Sequence, residues 1–148
     1  QRIAEMLMSA GAQKALVSVG GEVCCFGKRW KIALKNPEGE ILAVIETKEK
    51  ETTITTSGTY ERYIKEERNH HILNPRKGKQ ELNYRSLTLI ENGFLGAVLD
   101  ALATAYFNAP PHTLKNQPYP YIYVTFDGET VVSNNLGERV ENVYLLLK

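Results

Sequence analysis

Residues 14 to 48, KALVSVGGEVCCFGKRWKIALKNPEGEILAVIETK, constrain the fold of this chain more than any other stretch. Short runs rich in Val, Ile, Phe and Trp are broken at Gly20-Gly21, Gly27-Lys28 and Asn36-Pro37-Glu38-Gly39. β-branched and aromatic side chains suit a pleated surface, while Gly, Asn and Pro supply the backbone conformations of tight turns. Consecutive strands joined by such turns pair antiparallel, because a parallel partner needs a crossover of about a dozen residues or more. The spacing predicts several antiparallel strands in succession. Further on, SLTLIE (Ser86 to Glu91) alternates as a strand does, and Asp127-Gly128 between two β-rich runs signals a hairpin.

Two helices accompany the strands. RIAEMLMSA places Ile3, Met6, Leu7 and Ala10 at helical spacing with Gly11 as a stop. GFLGAVLDALATAYFN carries Phe94, Leu95, Val98, Leu99, Leu102 and Tyr106 on one broad face, predicted to pack against the sheet. The last run, ERVENVYLLLK, alternates and is expected to close the sheet. The predicted class is α+β, a mostly antiparallel or mixed sheet packed with two helices. With 148 residues, 43% of them apolar and 24% charged, residues 1–148 are expected to form one folded domain.

The composition narrows function by subtraction. A net charge of +1 with scattered Lys and Arg offers no basic block or stripe, so no nucleic-acid partner is expected. No apolar run reaches the roughly 18 residues of a membrane span. The chain begins at Gln1 inside helix-like sequence, so its localisation is not legible from these residues. Cys24 and Cys25 are neighbours in a strand-like run and point to opposite faces, which argues against a disulfide between them. The eight tyrosines are scattered through predicted strands as core or cross-strand residues. No GxGxxG, P-loop, GxSxG or HExxH pattern occurs.

Two stretches concentrate chemistry. Between Asn92 and Pro110 the only charged residue is Asp100, and Thr104 follows it one helical turn later on the same face. Spacing alone favours a plain solvent-facing pair; the other reading is a hard cation held by carboxylate and hydroxyl oxygens, as Mg²⁺ is held. The second stretch, TSGTYERYIKEERNHHILNPRKG, holds His70 and His71 before Asn74-Pro75 and Lys77-Gly78. The turn signals favour a structural loop, and the alternative is a loop that lays backbone N–H groups, Arg76 and Lys77 against an anion. Gly20-Gly21 and Ser57-Gly58 read as ordinary turns.

In order, ALVSVGGEV, Gly27 and Trp30 before NP, TSGTYERY, HHILNPRKG, SLTLI and DALATAYF resemble the C-terminal half of the ApbE family, the FAD:protein FMN transferases, over Gln1 to about Gly128. The resemblance implies an exported, membrane-anchored, periplasmic or cell-surface enzyme. Such an enzyme uses Mg²⁺ to split FAD, joins FMN by a phosphoester to a threonine of an acceptor flavoprotein and releases AMP. It makes Asp100 and Thr104 the metal ligands of a D-x-x-x-T motif. The family's H-I-x-D-P-x-T-G motif falls on His71, Ile72, Asn74, Pro75, Lys77 and Gly78, which makes His71 the functional histidine beside the nucleotide. Ser57, Gly58 and Tyr60, from T-S-G-x-Y-E-R, are implied near the nucleotide.

This chain departs from the family at two loop positions, with Asn74 for aspartate and Lys77 for threonine. The family's upstream half, with its Lys-Gly-Tyr segment, lies outside the sequence, so a further chain or segment is an expected partner. Two rival functions stand beside transfer: a non-catalytic flavin-binding or assembly module, and an FAD pyrophosphatase in which water replaces the threonine.

Overall fold

The computed structural model describes residues 1–146. The predicted strands form as β1 (Ala15–Val19), β2 (Glu22–Phe26), β3 (Lys31–Lys35), β4 (Ile41–Thr47) and β5 (Thr52–Gly58). A small hairpin of β6 (Tyr63–Ile64) and β7 (Glu66–His70) follows, then β8 (Ser86–Asn92), β9 (Tyr121–Val124), β10 (Thr130–Val132) and β11 (Val140–Leu145). The helices are α1 (Arg2–Ser9), α2 (Gly96–Phe107), a 3₁₀ turn at Pro111–Asn116 and a short α3 (Leu136–Arg139). The last two were not evident from periodicity, being only six and four residues long.

Every pairing is antiparallel. The main sheet has six strands in the order β1-β2-β5-β8-β9-β10, and a second has β11-β4-β3. The C-terminal run therefore does not close the main sheet: β11 pairs with β4 in the second sheet, and the last two residues of the predicted strand, Leu147 and Lys148, lie outside the described residues. The sequence pattern marks a strand but carries no label for its partner.

The main sheet is covered on both faces. Ile32, Ala43 and Ile45 of the second sheet meet Ile54, Ile90 and Ile122 of the first in one apolar layer. On the other face Leu87 and Leu89 pack against Leu99, Ala103 and Phe107 of α2. Burying each such large side chain stabilises the fold by about 1.5–3 kcal/mol. This double cover explains why β5 and β8 are buried along nearly their whole length, threonines included.

Both helices differ from the periodicity in one respect. In α2, Val98 is 47% exposed, whereas Gly96, Leu99, Ala103 and Phe107 are buried. The small residues let the helix approach the sheet closely and rotate the buried stripe away from Val98. In α1, only Ala4 is buried, and Ile3, Met6 and Leu7 face outward. Its end is as expected: Gly11 adopts φ +91°, Gly11 N–H donates to Met8 O, and Ala12 N–H donates to Leu7 O, which is a Schellman stop.

Candidate functional site

A cavity of about 590 Å³ opens where the β1–β2 turn, the end of β5, the segment after β7 and the outer face of α2 converge. Its lining includes Ser57, Gly58, Tyr60, His71, Asp100 and Thr104, from three stretches of chain separated by up to 47 positions. Gly20, Gly21, Thr56, Glu61, Arg62, Ile72 and Leu73 complete it.

Gly20-Gly21 turns β1 into β2 with φ of +58° and +90°, the left-handed values a tight hairpin demands. The Thr56 N–H donates to Gly21 O at 2.9 Å, so the turn lies directly on β5. A Cβ on Gly21 would stand 2.8 Å from Thr56 O, closer than real contacts allow. The sequence marks this pair as a turn, yet nothing local in it signals a cavity wall. Across the opening the Tyr60 ring folds over Gly58, where an added Cβ would fall 2.6 Å from the ring. Burial, and then the charges of Glu61 and Glu67, raise the Tyr60 phenol above its ordinary pKa, so it stays a neutral hydroxyl.

The two histidines part company. His70 ends β7 and is 1% exposed, its ring edge-on to Phe107 at 5.7 Å. Its Nε2–H donates to Glu81 O at 3.2 Å, its Nδ1 has no partner, and burial lowers its pKa, which keeps it neutral. His71 faces the cavity. Both its backbone N–H (3.1 Å) and its Nδ1 (3.0 Å) reach the carbonyl of Arg62. A carbonyl only accepts, so Nδ1 carries the proton and the Nε2 lone pair is left to accept another.

The remaining loop residues do not line the cavity. Asn74 closes its own turn: its N–H donates to Lys79 O, its Oδ1 accepts from Arg76 N–H, and its Nδ2 donates to Glu81 Oε1. Lys77 pairs with Glu81 at 2.6 Å. Pro75 and Gly78 shape this turn, Gly78 with φ +65°. The cation gained at position 77 is thus spent within the loop on Glu81, the carboxylate that also holds Asn74.

Asp100 and Thr104 are exposed on the outer face of α2, whose inner face is fixed in the core. Among the described residues no group of three or more His, Cys, Asp or Glu side chains is placed to hold a metal ion. The donor set that α2 offers the cavity is one carboxylate and one hydroxyl. Such a hard-oxygen pair suits Mg²⁺, which keeps several waters and binds through one or two carboxylates plus phosphate oxygens.

A sheet end carrying glycine turns, a histidine segment and the Asp100–Thr104 face of α2 together line an open cleft in an α+β protein. The chain belongs to the ApbE family, whose model matches residues 1–117. It is 31% identical over 149 aligned positions to the FAD:protein FMN transferase of Rhodobacter capsulatus, covering 93% of this chain and 28% of that protein. The Klebsiella pneumoniae (strain 342) protein of the same name is 40% identical over 80 residues, covering 52% of this chain and 25% of the relative. The ApbE protein of Thermotoga maritima superposes with a TM-score of 0.78 at 28% identity, over 93% of this chain and 48% of that one. The flavinyl transferase ApbE of Pseudomonas stutzeri shares the fold with a TM-score of 0.69 at 21% identity, over 92% of this chain and 44% of that one. The chain spans 25–33% of the length of the curated relatives it matches.

Proposed function

We propose that this chain forms the C-terminal part of an Mg²⁺-dependent FAD:protein FMN transferase, acting on a threonine of an acceptor flavoprotein. One observation carries the reading: His71, Ser57, Gly58, Asp100 and Thr104, distant in sequence, line a single cavity. Its volume of about 590 Å³ falls within the range of about 300–1,000 Å³ usual for ligand pockets.

In this reading the threonine oxygen attacks the FMN phosphorus of FAD. A new P–O bond forms, the bond from that phosphorus to the bridging oxygen breaks, and AMP leaves with the bonding electrons. Asp100 and Thr104 would hold Mg²⁺, which when bound neutralises charge developing on the phosphoryl oxygens. His71, with Nδ1–H fixed on Arg62 O, presents Nε2 to orient the acceptor hydroxyl and take its proton. Gly20, where an added Cβ would meet nothing within 4 Å, offers backbone that a ligand can approach without a side chain in the way.

The test is incubation with FAD, Mg²⁺ and an acceptor protein, together with the N-terminal half of an ApbE-family relative. Covalent flavin fluorescence on the acceptor and AMP release are followed. Asp100→Ala is expected to lower both at least about a hundredfold, by analogy with other transition-state charge stabilisers, while circular dichroism stays unchanged. Unaltered turnover in that variant would overturn the metal assignment.

A second reading, a flavin-binding module without transfer, draws on the loop in which Asn74 and Lys77 are both engaged by Glu81. FAD binding without AMP release would favour it. AMP release without acceptor labelling would favour hydrolysis.

A further inference from the structure

We propose that Glu67 and Arg85 are a positioning pair that sets His71 and Tyr60 against the helix oxygens of the cavity. The inference rests on the transferase reading for its functional consequence, and on geometry for its structural one.

The β6–β7 hairpin is a two-stranded unit that joins neither larger sheet. Hairpins of this kind are marginal by themselves. Its side chains add little, since Tyr63 is 50% and Ile64 73% exposed. Something must tie down the hairpin and the segment before it, because the His71 ring takes its orientation from Arg62 O, which immediately precedes β6. Asp100 and Thr104, in contrast, ride on α2, which has its own buried face. The backbone at His71 leans on the same helix, since buried His70 meets Phe107 and buried Ile72 joins the cluster of Leu99, Ala103 and Phe107; residues 59–62, which carry Tyr60 and the Arg62 carbonyl, need a support of their own.

The tie is Arg85. Its Nε and Nη2 form a fork on Glu67 at 2.9 and 2.8 Å, with side chains only 18% and 23% exposed. The third nitrogen, Nη1, reaches Glu38 Oε1 at 2.5 Å. Its backbone is pinned to the main sheet by the Arg85 N–H donating to Val124 O at 2.7 Å. Thr59 closes the knot: its N–H donates to Arg85 O at 2.9 Å, and its Oγ1 contacts Arg85 O and Glu67 Oε1. Thr59 lies between the cavity residues Gly58 and Tyr60. Bidentate, partly buried Arg–carboxylate pairs are the strong and directional kind. Neither Glu67 nor Arg85 lines the cavity, so whatever they do for the reaction goes through their neighbours. Buried His70, seated on Phe107 and paired with Tyr63 at the open end of the hairpin, is its other anchor and holds the backbone beside His71.

The experiment is hydrogen exchange read by mass spectrometry on the full chain without ligand, for wild type, Arg85→Met, Arg85→Lys and the swapped pair Glu67→Arg with Arg85→Glu. Arg85→Met is expected to speed exchange of residues 59–71 about tenfold or more while β8 and α2 stay within about twofold, the pattern of a local opening. The swapped pair is expected to recover part of the protection. Equal exchange in Arg85→Met and wild type would overturn the proposal, and so would a rise shared by β8 and α2, which would mark general destabilisation. In the flavin assay the expected signature is a fall in kcat of about tenfold with a smaller change in KM for FAD, partly rescued in Arg85→Lys. A wild-type chain that turns over no flavin together with the N-terminal half of an ApbE-family relative would strike the transferase reading, and exchange would still decide the positioning role.

Discussion

Phe107 is the point at which α2 and the histidine segment lean on each other, and Phe107→Ala measures that support. The side chain is fully buried, edge-on to His70 at 5.7 Å and tilted against Tyr84 at 5.8 Å. Truncating a buried Phe costs about 3–5 kcal/mol. Two ring contacts, each worth about 0.5–1.5 kcal/mol, place the loss near the middle of that range or above, at about 4 kcal/mol. With a urea slope of about 2 kcal/mol per molar, the midpoint falls by about 2 M. Urea titration followed by tyrosine fluorescence and circular dichroism reads this directly. A loss below about 1.5 kcal/mol, the level of a volume-conserving swap, would refute the packing argument and with it the claim that α2 and His70 share one support.

Gly21→Ala combines φ +90° with a Cβ 2.8 Å from Thr56 O; a loss of about 2 kcal/mol in thermal denaturation is expected, and an unchanged melting temperature would contradict the turn geometry. Cys24 and Cys25 are free and buried, and burial pushes the Cys25 thiol up to about 11; thiol reagents should react with the unfolded chain and not at a measurable rate with the folded one. The Arg85 fork, opposed by desolvation, lowers the Glu67 pKa below its ordinary 4.5. Its contribution is therefore present above that ordinary value and lost as pH falls through the depressed one. Glu67→Gln should be less stable than wild type at neutral pH, with the two stabilities converging in acid; a constant gap across pH 7 to 3 would contradict the charge argument.

Much of this architecture is written in local pattern. Turn chemistry at Gly20-Gly21, Asn36 to Gly39 and Asp127-Gly128 marks the hairpins, and Asp100 and Thr104 are visible as a lone polar pair on an apolar helix. Pairing partners are less legible: β11 looks the same in sequence whether it joins the main sheet or β4. The α1 face is misread for a related reason, since periodicity reports an apolar stripe without reporting what covers Ile3 and Met6. At the cavity, Ser57, Gly58, Tyr60 and His71 follow from motif order, whereas Gly20 and Gly21 look like any glycine turn. Glu67 and Arg85 lie 18 positions apart and carry no local signal, because a fork between them exists only once β5 and β8 have paired.

The most direct test is calorimetric titration of FAD, with and without Mg²⁺, into this chain together with the N-terminal half of an ApbE-family relative, for wild type and Asp100→Ala. The account predicts binding that Mg²⁺ strengthens in wild type and leaves unchanged in Asp100→Ala. Binding that is absent in wild type, or equally responsive to Mg²⁺ in both proteins, would contradict it.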